Sequence, residues 1–215
     1  MSNVPKNRKP PLARGSIFVI SAPSGTGKST LIKHLMEDCP GLCFSISYTT
    51  RPPRPTEKHG RDYFFVTRRS FERMVRRDEF VEWAEVYGHL YGTTSKQLQA
   101  AQEAGQDILL DIDVQGHQQV RQRLPEAISV FILPPSFQEL SRRLRDRHSD
   151  APEVIEHRLQ TAREEITHWP EYDYLVVNDH LTGATETLRA IVRAARFRRS
   201  SQTGRIEKII KTFGG

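Results

Sequence analysis

Residues 16–31 read SIFVISAPSGTGKSTL, and the expected fold follows from them. Ile17 to Ile20 form a short apolar run with β-branched side chains, the pattern of a buried strand. Ala22-Pro23-Ser24-Gly25-Thr26-Gly27 is a small, glycine-bearing loop. Lys28-Ser29-Thr30 then opens a segment whose apolar Leu31, Ile32, Leu35 and Met36 recur at helical spacing. Strand, loop and helix in that order are the setting of a phosphate-binding loop. Glycines let the backbone curl until several amides converge on one anion, and the helix start favours negative charge. Lys28 is placed to reach the β- and γ-phosphates, and the Ser29 hydroxyl to hold Mg²⁺. Ala22 stands where the motif ordinarily has its first glycine, which is acceptable if that position keeps φ below zero. The stretch predicts a site for a nucleoside triphosphate.

The chain has 215 residues, enough to bury one good core near the upper end of single-domain size. Hydrophobic residues make up 37% and charged residues 27%, a globular rather than disordered balance. A mean hydropathy of −0.57 and the lack of any long apolar run argue against a membrane span. The first fifteen residues, MSNVPKNRKPPLARG, are basic and proline-rich with no apolar h-region, so they read as a frayed tail rather than a secretory signal. Cys39 and Cys43 have no cysteine or histidine partners at metal-ligand spacing, which points to a reducing, cytoplasmic setting. The net charge of +6 would suit nucleic acid or a site holding several phosphates. Arginines gather after strands and on short helices without interleaved aromatics, so the polyphosphate site is the expectation, with neither nucleic acid nor membrane as partner.

Further along, Phe44–Tyr48 alternates like a strand, and Thr49–Pro55 is a loop stiffened by prolines. Residues 63–66 read as a strand, 69–77 as a helix, 79–87 as an alternating strand, 88–92 as a turn and 95–104 as a helix ending at Gly105. Ile108 to Asp113 is an apolar run ending in carboxylates, as expected of a buried parallel strand that delivers an acid to Mg²⁺. Residues 118–123 are expected helical, 128–133 a strand, 136–147 and 152–168 helices, 174–177 a strand and 184–199 a helix. Buried strands alternating with helices predict an α/β, doubly wound, mostly parallel sheet. The expected division is a tail over 1–15 and one domain over 16–215. Its core takes 16–43, 95–135 and 169–199, with an inserted lobe over 44–94, a helical lid over 136–168 and an extension over 200–215.

Several stretches together carry a resemblance: SAPSGTGKST (21–30), SYTTRPPRPTEKHGRDYFFV (47–66), EFVEWAEVYGHLYGT (79–93), LLDIDVQG (109–116), the arginine-bearing lid and VVND (176–179). In that order they resemble the guanylate kinase family from about Ser16 to Arg196. The resemblance implies a P-loop fold whose inserted lobe binds a nucleoside monophosphate. It implies ATP and GMP as substrates, ADP and GDP as products, and Mg²⁺. The proposed ATP set is Ala22, Pro23, Ser24, Gly25, Thr26, Gly27, Lys28, Ser29 and Thr30, with Arg143 and with Asn178-Asp179 toward adenine.

Phosphoryl transfer needs alignment and neutralised charge more than covalent help from the protein. The acceptor phosphate is already anionic near neutral pH, its second pKa being about 6, so no general base is needed. Arg51 and Arg54, spaced by two prolines, can grip that phosphate with forked donors, and Tyr63 and Tyr91 can add hydroxyl hydrogen bonds. The resemblance places these four at the GMP phosphate. A proline-rich docking peptide is the plainer reading of RPPRP, but the segment lies between predicted strands. Guanine offers N1–H and 2-amino donors, which carboxylates answer and which adenine lacks. The resemblance puts Glu82 and Asp113 at the base, with Ser47, Gly92 and Thr93 beside them; on alternation alone Glu82 would face solvent. Asp111 is assigned to Mg²⁺, with Ser29, and to the acceptor. Arg143 and Arg147 share a helix face, and with Arg158 they can close on the transferring group. The proposed catalytic set is Lys28, Arg54, Arg147 and Arg158.

Three rivals stand beside this reading. A non-enzymatic module of the same shape tends to lose the ATP apparatus, which is present here in Lys28, Ser29 and Asp111. A kinase for a sugar phosphate would have no use for the carboxylates expected at the base. A nucleic-acid binder would show steep salt dependence. Use of dGMP and assembly as a homo-oligomer stay open.

Overall fold

The computed structural model describes residues 14–86, 88–146 and 151–214. Five parallel strands form the central sheet in the order β2-β7-β1-β8-β9: β2 Leu42–Phe44, β7 Asp107–Asp111, β1 Ile17–Ser21, β8 Ile128–Leu133 and β9 Tyr174–Val177. Alternate side chains of β1, β7 and β8 bury against opposite layers. Phe18, Ile20, Leu109 and Val130 pack with Leu31 and Leu35 of α1 (Lys28–Asp38) and Leu188 and Val192 of α7 (Leu181–Ala195). Ile17, Val19, Ile108 and Leu110 pack with Leu98 of α3 (Ser95–Glu103) and Val120 of α4 (Val114–Arg123). Burial on both faces is why these strands read as unbroken apolar runs. The expected doubly wound α/β architecture is what forms.

A second sheet, ordered β4-β3-β6-β5, makes the lobe: β3 Tyr48–Thr49, β4 Phe64–Phe65, β5 Phe80–Val86 and β6 His89–Thr94. It folds over α2 (Arg68–Arg76) around its own small cluster of Phe71, Phe80 and Leu90. The segment expected as a lid pairs α5 (Phe137–Arg145) with α6 (Pro152–Glu165), followed by a 3₁₀ turn over Ile166–Glu171. Leu140, Leu144, Leu159 and Ala162 are buried between the lid helices. Last comes α8 (Arg199–Lys211), in the segment expected only as an extension.

Several expectations are corrected. The strand read over 44–48 is two strands in two sheets. β2 ends at Phe44 beside Leu109, and β3 begins at Tyr48 beside Gly92, with the chain crossing between sheets in 45–47. Alternation marked both ends as extended but could not report that the partner changes. Residues 88–92 are mostly strand, not turn. His89 to Thr94 return antiparallel to β5, so the reversal is tighter than the two glycines suggested. β7 stops at Asp111 because Asp113 is already the N-cap of α4, accepting a 2.8 Å hydrogen bond from the Gly116 amide. α4 therefore starts four residues before the expected Gln118. β7 begins one residue early, at buried Asp107, which accepts from the Ser16 amide at 2.8 Å and from Arg196 Nε at 2.7 Å.

Leu109→Ala and Leu110→Ala, on opposite faces of β7, should each lower unfolding free energy by about 2–5 kcal/mol. Leu175→Ala on edge strand β9, where the side chain is 43% exposed, should cost less than about 1 kcal/mol. Urea unfolding of the three variants checks the two-faced core.

Candidate active site

The phosphate loop leaves the carboxyl end of β1 and feeds α1, whose N-cap is Gly27. Gly25 and Gly27 have φ of 89° and 95°, in the left-handed region. Both positions are also crowded. A Cβ on Gly25 would lie 2.7 Å from Leu144 of the lid, and one on Gly27 the same distance from Asn178 Nδ2. Ala22 is absent from the positive-φ positions among the described residues, so its side chain sits without strain. Behind the loop, Asn178 Nδ2 donates to the Thr26 carbonyl at 2.7 Å. Arg143 donates to the same carbonyl at 3.2 Å and to the Asn178 carbonyl at 3.0 Å. In a trans peptide the carbonyl and the next N–H point opposite ways, so holding the Thr26 oxygen on one side turns the Gly27 amide to the other.

Two clefts meet at this point. The first, about 580 Å³, is lined by Ala22 to Thr30 and by Asp113, Arg158 and Glu165. The second, about 200 Å³, is lined by Ser47, Asp62, Tyr63, Glu82, Tyr91 and Asp111. Lys28, Val86 and Asp113 line both. The Lys28 ammonium lies 2.6 Å from the Asp111 carboxylate and 3.5 Å from the Ile112 carbonyl, tying the ends of β1 and β7 together at the common wall.

Glu82 is 4% exposed, so the solvated alternative for this residue does not hold. It points into the second cleft with Ala84, while Phe80, across a register shift, packs on Phe71 and Leu90. Burial, reinforced by the nearby Asp113 charge and opposed by donors on Thr93, pushes its carboxyl up from 4.5 to about 7. Tyr63 is also raised by burial. Arg51 is engaged with Glu57 at 2.7 Å and stands 5.4 Å from the Tyr63 ring centre, one wall away from the second cleft. Arg54 is on the exposed loop and lines neither cleft; its backbone amide donates to Glu57 at 2.8 Å. Gly92 and Thr93 lie in β6 opposite Trp83 and Glu82, with their side-chain positions buried.

Asn178 and Arg143, expected near ATP, sit behind the loop on its Thr26 carbonyl. Asp179 is exposed and accepts from the His180 amide. Arg147 lies outside the described residues. Among the cleft residues that carried no sequence signal strong enough to single them out are the polar Asp62, Gln115, Thr161 and Glu165. Glu165 is half-buried beside Lys28 and the Ser24 amide, and burial raises its carboxyl despite both. Its helical spacing gave no reason to prefer it over neighbouring Glu164. Ser29 lines the first cleft and Asp111, paired with Lys28, lines the second; each offers the hard oxygen donor that Mg²⁺ prefers. Among the described residues, no helix is long and apolar enough to cross a membrane.

A family model described as guanylate kinase matches residues 14–195. The chain is 56% identical to a guanylate kinase of Koribacter versatilis over 190 residues, covering 87% of this chain and 82% of that one. It is 52% identical to a guanylate kinase of Dechloromonas aromatica over 181 residues, covering 84% and 90%. The crystal structure of guanylate kinase from Anaplasma phagocytophilum superposes with a TM-score of 0.72 at 35% identity, over 88% of this chain and 90% of that one.

Between pH 4.5 and about 7 the folded chain keeps on Glu82 a proton that the unfolded chain has lost. That contribution to stability therefore falls as pH rises through the window, by at most about 1.4 kcal/mol per pH unit. Glu82→Gln should gain stability relative to the parent between pH 5 and pH 7, as read by urea unfolding of the ligand-free proteins at both values.

Proposed function

The chain belongs to the guanylate kinase family and phosphorylates GMP to GDP with ATP, and we propose how its own residues do so. The observation that carries the reading is the common wall. A phosphate-loop cleft and a carboxylate-lined cleft share Lys28 and Asp113, so a donor in one and an acceptor in the other meet at a lysine.

ATP lies in the larger cleft, its β- and γ-phosphates against the loop amides and Lys28. Asn178 and Arg143 set the direction of the Gly27 amide by holding the Thr26 carbonyl. GMP occupies the smaller cleft. Its guanine donors meet the carboxylates of Glu82 and Asp113, with Ser47 and Thr93 alongside. Adenine would leave these acids, Glu82 buried and Asp113 half-buried, without the N1–H and 2-amino donors, a mismatch that selects against it. Arg51 and Arg54, with the Tyr63 and Tyr91 hydroxyls, clamp the acceptor phosphate; Arg51 leaves Glu57 to do so, and Arg54 swings in from its loop. Pairing to Asp111 holds the Lys28 ammonium in place before the phosphates arrive. Ser29 and Asp111 are the residues that would hold Mg²⁺, which supplies charge neutralisation across the donor phosphates when bound. Arg158, on the wall of the larger cleft, adds positive charge as the lid closes, and closure excludes water that would otherwise accept the phosphoryl group. The resemblance assigns Arg147 to the same task. A base-bearing acceptor with or without a 2′-hydroxyl fits the cleft contacts named, so dGMP is proposed as a substrate as well. A cytoplasmic setting accords with two unpaired cysteines.

ADP release with Mg-ATP and, separately, GMP, dGMP, AMP, CMP, UMP and a ribose phosphate tests the reading. Turnover is expected with GMP and dGMP alone; turnover with AMP at a similar rate would overturn the carboxylate account of guanine. Lys28→Ala should lower kcat on the order of 10²-fold or more while the chain still unfolds cooperatively.

A further inference from the structure

The lobe sheet ends on an open edge. β5 is its last strand, paired with β6 on one side only. An edge strand leaves alternate N–H and C=O groups without a strand partner. Here α4 supplies the partners from its side chains. The Trp83 N–H donates to Gln119 Oε1 at 3.1 Å, and Gln119 Nε2 donates to the Trp83 carbonyl at 2.7 Å. One turn further, Arg123 donates to the Phe80 carbonyl at 3.0 Å and to the Asp78 carboxylate at 2.8 Å. A primary amide offers a donor and an acceptor side by side, as a strand's backbone does, so Gln119 stands in for a missing neighbour strand.

The residue it holds adjoins Glu82. The β5–β6 register shifts between Phe80 and Glu82, a bulge that leaves Phe80, Val81 and Glu82 all buried before alternation resumes at exposed Trp83. A bulge disrupts the ladder locally and bends the strand, so the aim of the following side chains is set by what pins them. Gln119 pins the strand immediately after it. The tolerance is narrow, because a Cβ on Gly116 would lie 2.8 Å from Glu82 Oε2. One helix therefore constrains Glu82 twice: sterically at Gly116, and through the backbone at Trp83. The same helix carries Asp113 as its N-cap.

We propose that Gln119 is a positioning residue for guanine selection, holding β5 on α4 so that Glu82 keeps its spacing to Asp113. Gln119 lines neither cleft and acts only through the strand it holds. The proposal rests on the reading of Glu82 as a guanine-binding acid.

The test is steady-state kinetics of Gln119→Leu, Glu82→Gln and the double variant, each with GMP and ATP varied in turn. Gln119→Leu should raise KM for GMP about tenfold, with kcat and KM for ATP within about twofold of the parent. In the Glu82→Gln background the same substitution should add little, because the group it positions is already altered. Gln119→Glu, which keeps the acceptor for Trp83 N–H but sets a carboxylate against the Trp83 carbonyl, should shift GMP in the same direction. Should Gln119→Leu also lower the melting temperature, the ratio of the two KM values decides, since general loosening moves both. Unchanged KM for GMP, an equal rise for ATP, or an undiminished effect in the Glu82→Gln background would overturn the positioning role. A Glu82→Gln chain with parental GMP selectivity would overturn the guanine reading along with it.

Discussion

The parallel register that sets Ile20 beside Asp111 decides where this molecule can do chemistry. Because β1 and β7 run the same way and end at the same level, the phosphate loop and the acidic turn open on one edge of the sheet. Lys28 and Asp111 then meet at 2.6 Å across that edge. Both side chains are partly solvated, so the pair matters less as a source of stability than as a fixed arrangement of opposite charges. The two clefts are built outward from it, and each borrows its remaining walls from a different appendage of the core.

Those appendages have their own small hydrophobic clusters. Leu140, Leu144, Leu159 and Ala162 hold the lid together, and Phe71, Phe80 and Leu90 hold the lobe. Neither cluster merges with the two that sandwich the central sheet. Val81 of β5 packs into one of those two, and alongside it run polar, directional attachments between appendage and core. Arg143 of the lid reaches the Thr26 and Asn178 carbonyls, while Gln119 and Arg123 of the core reach the backbone of β5. Directional bonds suit the task, since a catalytic geometry depends on orientation and apolar contact alone specifies little of it. Glu82 shows the cost of the arrangement: the acid proposed to face the base is buried deeply enough for its proton to be retained to about pH 7 before any ligand arrives.

Much of this was legible in the residues. Ile17–Leu31 carried a strand, a loop and a helix start in chemistry that has few other uses, and β8 and β9 were bounded as expected. Lys28, Glu82, Asp111 and Asp113 were singled out and lie at the clefts, although Glu82 needed the family resemblance, because an alternating strand does not say which face is covered. Arg54 and Asp179 were named for the site and lie in exposed positions of the ligand-free chain. Gln119 and Glu165 were not singled out: each depends on which strand or loop happens to pack beside a helix, and that is nonlocal.

What the sequence by itself determined is therefore the local grammar: periodicity, loop glycines, caps, and the residue types required to hold phosphates and a purine edge. These are short-range properties, set by backbone sterics and by the chemistry of single side chains. The tertiary structure alone decided that residues 42–49 serve two sheets, that Asn178 faces a loop carbonyl, and that Glu82 is buried rather than solvated. Each of those depends on a partner distant in the chain, and a one-dimensional pattern records what a residue can pair with but not which partner packing brings within reach.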